Sequence, residues 1–138
     1  MLKNTLVTLV AVIATTAAAF VGATATAGAG DVKMEARLSG PTLASGKARY
    51  EERMKKNVLE QRFKVQIEDA APNADFAVVV AGVTVGVITT NDLGMGELQL
   101  RTATFIDDPG DGSPIPTDFP QVGPGDSVSV GSDLSGSF

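Results

Sequence analysis

The chain contains no cysteine, no histidine and no tryptophan, and only one tyrosine. Without cysteine there is no thiol nucleophile, thiolate metal site, c-type haem or disulfide, so a fold must rest on burial of apolar side chains. Without histidine the commonest general base and the commonest transition-metal ligand are both missing. Scarce aromatics argue against a sugar-handling cleft built on ring faces, which weakens paired-carboxylate glycoside hydrolysis as a reading. Basic residues are also missing from most of the chain: Arg101 is the one lysine or arginine beyond residue 64, against 11 acidic side chains. Residues 28–64 are the reverse, with nine basic and five acidic side chains. A surface that is acidic over most of its area repels phosphate backbones, so nucleic acid is not an expected partner.

The N-terminus reads as an address. Lys3 is followed by an apolar and Thr-rich run from Leu6 to Phe20, then by the small-x-small site Ala25-Thr26-Ala27. That order defines a secretory signal peptide over residues 1–27. The apolar run is short for a bilayer span, so no membrane span is expected after the leader is removed. Residues 28–138 then form one domain, exported to the periplasm, cell envelope or medium. A chain of that length buries roughly 65% of its unfolded surface.

The centre of the pattern is Asp75–Thr90, DFAVVVAGVTVGVITT. Two runs of Val, Ile, Phe and Ala flank Ala81-Gly82, which predicts a β-hairpin apolar on both faces, with Val83, Val85 and Val87 sharing one of them. Val32–Ser39 alternates over eight residues, the signature of a half-buried strand ended by Gly40-Pro41. Residues 46–68 carry two conflicting signals. Helix formers and the pairs Glu51/Lys55, Glu52/Lys56 and Glu60/Lys64 suit a helix. The strict alternation of Arg62–Glu68 suits a strand, and the reading adopted is two strands turning near Lys55-Lys56-Asn57 and returning along Leu59, Phe63, Val65 and Ile67. Their charges are read as one solvated sheet face. Asn91–Gly96 is loop chemistry, Glu97–Phe105 a further strand, and Val128 with Val130 a short one before a docking Phe138. Residues 107–126 form a long Asp/Gly/Pro loop pinned by Ile115, Phe119 and Val122. The sum is an all-β fold: a small, mostly antiparallel sandwich or partly open barrel of six to eight strands.

The residues ARLSGPTLASGKARYE and the ending LSGSF resemble the CHRD-type domain, and FAVVVAGVTVGVITTNDLGMGELQL is similar to a unit of uncharacterised exported bacterial proteins. The likeness implies an exported β module. The histidine-containing stretch of the CHRD pattern has no counterpart here, so metal binding through it does not carry over.

Three constellations invite chemistry. Asp107, Asp108 and Asp111, with Asp118 and Asp126 within reach of a folded-back loop, have the oxygen-rich character of a calcium site, although the spacing is not that of an EF-hand. Ser45 and Lys47 have the composition of a Ser-Lys hydrolase pair, but on a polar strand start. Gly94-Met95-Gly96 lacks the lysine and helix of a phosphate loop. The function expected is therefore a non-enzymatic structural or interaction module, meeting another envelope or extracellular protein through a sheet edge. A calcium-dependent adhesion module is the first alternative, and a small hydrolase the second.

Overall fold

The computed structural model describes residues 31–138; the leader expected over 1–27 lies outside the described residues. Nine strands follow one another: β1 (Val32–Leu38), β2 (Ser45–Lys55), β3 (Val58–Glu68), β4 (Asp75–Val80), β5 (Val83–Thr89), β6 (Gly96–Arg101), β7 (Ser113–Pro114), β8 (Ser127–Val130) and β9 (Leu134–Ser137). The count exceeds the predicted six to eight by one, the two-residue β7, which pairs parallel with β6. They form a five-stranded sheet in the order β1-β2-β3-β6-β7 and a four-stranded sheet in the order β9-β8-β4-β5, not closed into a barrel.

Residues 46–68 resolve in favour of strands. β2 and β3 pair antiparallel from Ser45↔Glu68 to Lys55↔Val58. Lys56 and Asn57 turn the chain with φ of 53° and 63°, the doubly left-handed geometry of a two-residue hairpin. Burial of Tyr50, Phe63, Val65 and Ile67 outweighs the helical propensity of the same stretch. Leu59, expected on the buried face, is 44% exposed. The hairpin is eleven residues long on each side, whereas β4 and β5 opposite have six and seven, so its tip outruns its cover.

The Asp75–Thr89 hairpin turns at Ala81-Gly82 as predicted, with φ of 48° and 85°. Its two-sided burial is not observed: Val78, Val80, Val85 and Ile88 are buried, while Ala77 and Val87 are exposed. The pairing shifts between Val78 and Val79, where Val85 and Gly86 together face Val78. This β-bulge changes the phase of β5, so Val87 leaves the face of Val85 and Ile88 takes its place. Gly86 lets Leu98 of β6 approach closely, since a Cβ there would stand 2.8 Å from its side chain. The strand predicted over Glu97–Phe105 stops at Arg101, and Ala103–Phe105 is a 3₁₀ turn.

The two L-S-G triplets meet. Ser39 and Ser135 form an antiparallel bridge, exchanging N–H···O bonds of 3.1 and 3.0 Å. This joins the β1 edge of one sheet to the β9 edge of the other. Added Cβ atoms would collide with the Asp133 carbonyl at Gly40 and with the Arg37 carbonyl at Gly136, so both glycines let the backbones close. Between the sheets, the long loop sends Phe119 against Tyr50 (ring centroids 5.9 Å apart, stacked) and Phe63 (5.4 Å, tilted). Ile115 and Phe138 pack against the core and Val122 is part of it, as expected.

Candidate functional site

Strand alternation sorts the five-stranded sheet into two faces. Ala48 and Tyr50 of β2, Phe63, Val65 and Ile67 of β3, and Leu100 of β6 are buried in the core. The intervening positions therefore point outward. They are Lys47, Arg49, Glu51 and Arg53 on β2, Glu60, Arg62, Lys64 and Gln66 on β3, and Glu97, Gln99 and Arg101 on β6. β1 adds Lys33, Glu35 and Arg37. Eight basic and four acidic side chains thus share one sheet face of a chain whose net charge is −5. The outer face of the other sheet contributes Asp75 as its one charged strand residue and is otherwise Ala, Val, Thr and Ser.

Glu60 organises the cationic face. It is 1% exposed although it points outward, because arginines from three strands close over it. Its Oε1 accepts from Arg53 Nε at 2.8 Å, and its Oε2 accepts from Arg101 Nε at 2.7 Å and Arg62 Nε at 3.3 Å. Burial alone would push this carboxyl up; the hydrogen bonds from Arg53 and Arg101 and the charges of Arg101 and Arg62 reverse that and bring it down to about 2. At neutral pH Glu60 is therefore an anion that fixes the guanidinium groups around it. The expectation of one solvated charged face holds for most of these side chains and fails here. Sequence reasoning placed Glu60 on an exposed alternation, and the register that sets Arg53 and Glu60 opposite, with Arg62 opposite Arg101, is a tertiary fact.

Beside this cluster lies a shallow cleft of about 320 Å³, lined by Arg49, Arg62, Lys64, Arg101, Gln99, Glu51 and Asp111 among others. Four cations and two anions thus face the opening. Arg49 Nη2 lies 2.9 Å from Glu35 and Lys64 Nζ 3.1 Å from Glu97, both in pairs that remain half exposed to water. Such pairs are worth little and exchange readily for another anion. Arg101, 14% exposed at its side chain, is held more firmly between Glu60 and Asp111.

The aspartates proposed for calcium are arranged around a turn. Asp111 Oδ2 accepts from the N–H groups of Asp107 (3.1 Å) and Asp108 (3.2 Å), and its Oδ1 lies 3.5 Å from Arg101 Nη1. Those two amides, and then the Arg101 charge, hold the Asp111 carboxyl below its ordinary value. Asp126 Oδ2 accepts from Gly123 N–H at 2.7 Å. Among the described residues no three acidic side chains gather as a cation site would require. Ser45 and Lys47 stand at alternate positions of β2, and Lys47 is half exposed with Glu35 4.0 Å away, so it has none of the desolvation that activates a catalytic amine.

No family model matches the chain, and the searches of curated proteins and of solved structures found no match to it.

Proposed function

We propose that the protein is an exported, non-enzymatic binding module that holds an anionic polymer of the envelope or extracellular space against the outer face of the five-stranded sheet. The observation that carries this reading is the concentration of eight basic side chains on that face in an acidic chain. Side chains spaced along strands and across three neighbouring strands present cations in rows, which suits a ligand with repeated charges better than a single small anion. Arginine forks supply paired donors to carboxylate or phosphate oxygens. The acidic remainder restricts the approach of such a polymer to this one face.

Calorimetric titration of residues 28–138 with a polyuronate tests the proposal. Binding is expected to weaken steeply as salt is raised from 20 to ~200 mM, because exposed charges are screened over a shorter distance. Replacing Arg49 and its cross-strand neighbour Lys64 by glutamate should weaken it about tenfold or more, and unchanged affinity would refute the assignment. Equal affinity for DNA of similar charge density would show that the face reads charge alone and not the glycan.

A further inference from the structure

The acidic side chains on the outer face of the five-stranded sheet are unequally occupied. Glu60 accepts hydrogen bonds from three arginines, and Glu35 accepts from Arg49 through Nε and Nη2. Glu97 accepts from Gln66 at 2.8 Å and Gln99 at 2.7 Å, with Lys64 Nζ 3.1 Å away. Glu51 differs. Its one ion pair among the described residues is to Arg62 Nη1 at 4.0 Å, beyond hydrogen-bond reach, and no N–H or O–H of the described residues donates to it. Its side chain is nevertheless only 24% exposed, against 44% for Glu35 and 38% for Glu97. A carboxylate only accepts, so one that is largely covered and lacks donors is costly until something supplies them.

The place of Glu51 says what could supply them. Of these glutamates it alone lines the cleft of about 320 Å³. Asp111, the other carboxylate there, already accepts from two amides and faces Arg101. In the β2–β3 ladder Arg49 stands opposite Lys64, and Glu51 opposite Arg62. Like charges directly opposite one another are unfavourable, and an anionic group laid between Arg49 and Lys64 removes that cost. Glu51 is the next outward residue along β2, about 7 Å from Arg49. A ligand seated in the cleft therefore meets an anionic group's partners at one row and an open acceptor at the next. Polyphosphate and the DNA backbone bring acceptor oxygens only, which Glu51 repels. A sugar acid carries a carboxylate and hydroxyl donors on a single ring, and the cleft, at the small end of ligand sites, suits one such residue.

We infer that Glu51 is the specificity-determining residue of the cleft: it accepts a hydrogen bond from a hydroxyl of the sugar acid whose carboxylate lies on Arg49 and Lys64. The inference rests on the polyanion face proposed above and names the ligand class that face prefers, a polymer with free hydroxyls beside its charges.

The probes are polygalacturonate and the same polymer with its hydroxyls acetylated, which keeps the spacing of the carboxylates. Each is titrated by calorimetry at low salt into residues 28–138, the form expected after export. The wild type should bind the free-hydroxyl polymer about tenfold or more tightly than the acetylated one. Acetyl bulk alone would penalise every variant alike, so the deciding quantity is the change in that preference on mutation. Glu51 makes no hydrogen bond within the described chain, so Glu51→Ala spares the fold. It should shrink the preference at least about threefold, even if relief of repulsion raises affinity for both polymers. A preference absent from the wild type, or left unchanged by Glu51→Ala, would overturn the role of Glu51 while the polyanion face stands. Failure of the wild type to bind polygalacturonate at all would overturn the reading of the face, and this inference with it.

Discussion

Glu60 shows how one side chain converts a sheet surface into a fixed array. Removing its charge leaves Arg53, Arg62 and Arg101 crowded around a neutral group. Glu60→Gln should therefore destabilise the fold by about 2–3 kcal/mol, less than for a fully buried ion pair because Arg53 and Arg62 remain partly in water. Chemical denaturation measures it. The pH dependence has a definite sign. The folded carboxyl sits at about 2 against an ordinary 4.5, so its contribution is complete above pH 4.5 and drains away as pH falls towards 2. The wild-type protein should lose stability over that window by up to about 3 kcal/mol more than the Gln variant does. A second residue-scale prediction concerns Ala81, a non-glycine at φ 48° beside Gly82. Ala81→Asn creates the favoured Asn-Gly pair of a two-residue hairpin and should raise stability by about 0.5–1 kcal/mol, read as a higher melting temperature.

Elements were legible in the sequence where period two ran without interruption. Val32–Leu38, Arg62–Glu68 and the turn at Ala81-Gly82 each announced themselves through side-chain type alone. The errors fall where a long-range fact intervened. The bulge at Val85 and Gly86 depends on how β4 and β5 register, and composition gives no sign that Val87 will face water. Leu59 is exposed because the opposite sheet ends before the β2–β3 hairpin does, a comparison of lengths in space. Glu60 was invisible as a site for a similar reason: its three arginines come from β2, β3 and β6. The 107–126 loop was recognised by composition, and its anchors Ile115, Phe119 and Val122 by their isolation among polar residues. Its aspartates suggested a cation from sequence, whereas in the fold Asp111 spends its oxygens on two backbone amides and Arg101. Calcium at millimolar concentration should accordingly leave the melting temperature of residues 28–138 within about 1 °C; a rise of several degrees would restore a metal to this loop.

At the scale of the molecule, charge and shape are distributed unequally between two sheets. The five-stranded sheet presents its cations outward in cross-strand rows, with Glu60 fixing one end of the array. The four-stranded sheet is nearly uncharged, with Asp75 the one charged residue on the outer face of its strands. Most of the acidic side chains beyond residue 64 lie in the turns and in the long loop, which closes the space between the sheets through Phe119. The proposed function assigns a polyanion to the charged face. Its most direct test is a residue-resolved amide shift map of residues 28–138 titrated with a polyuronate at low salt. The account predicts saturable shifts concentrated at the outward positions of β2, β3 and β6 around Arg49, Arg62 and Lys64. Shifts centred on β4, β5 or the 107–126 loop, or none at all, would contradict it.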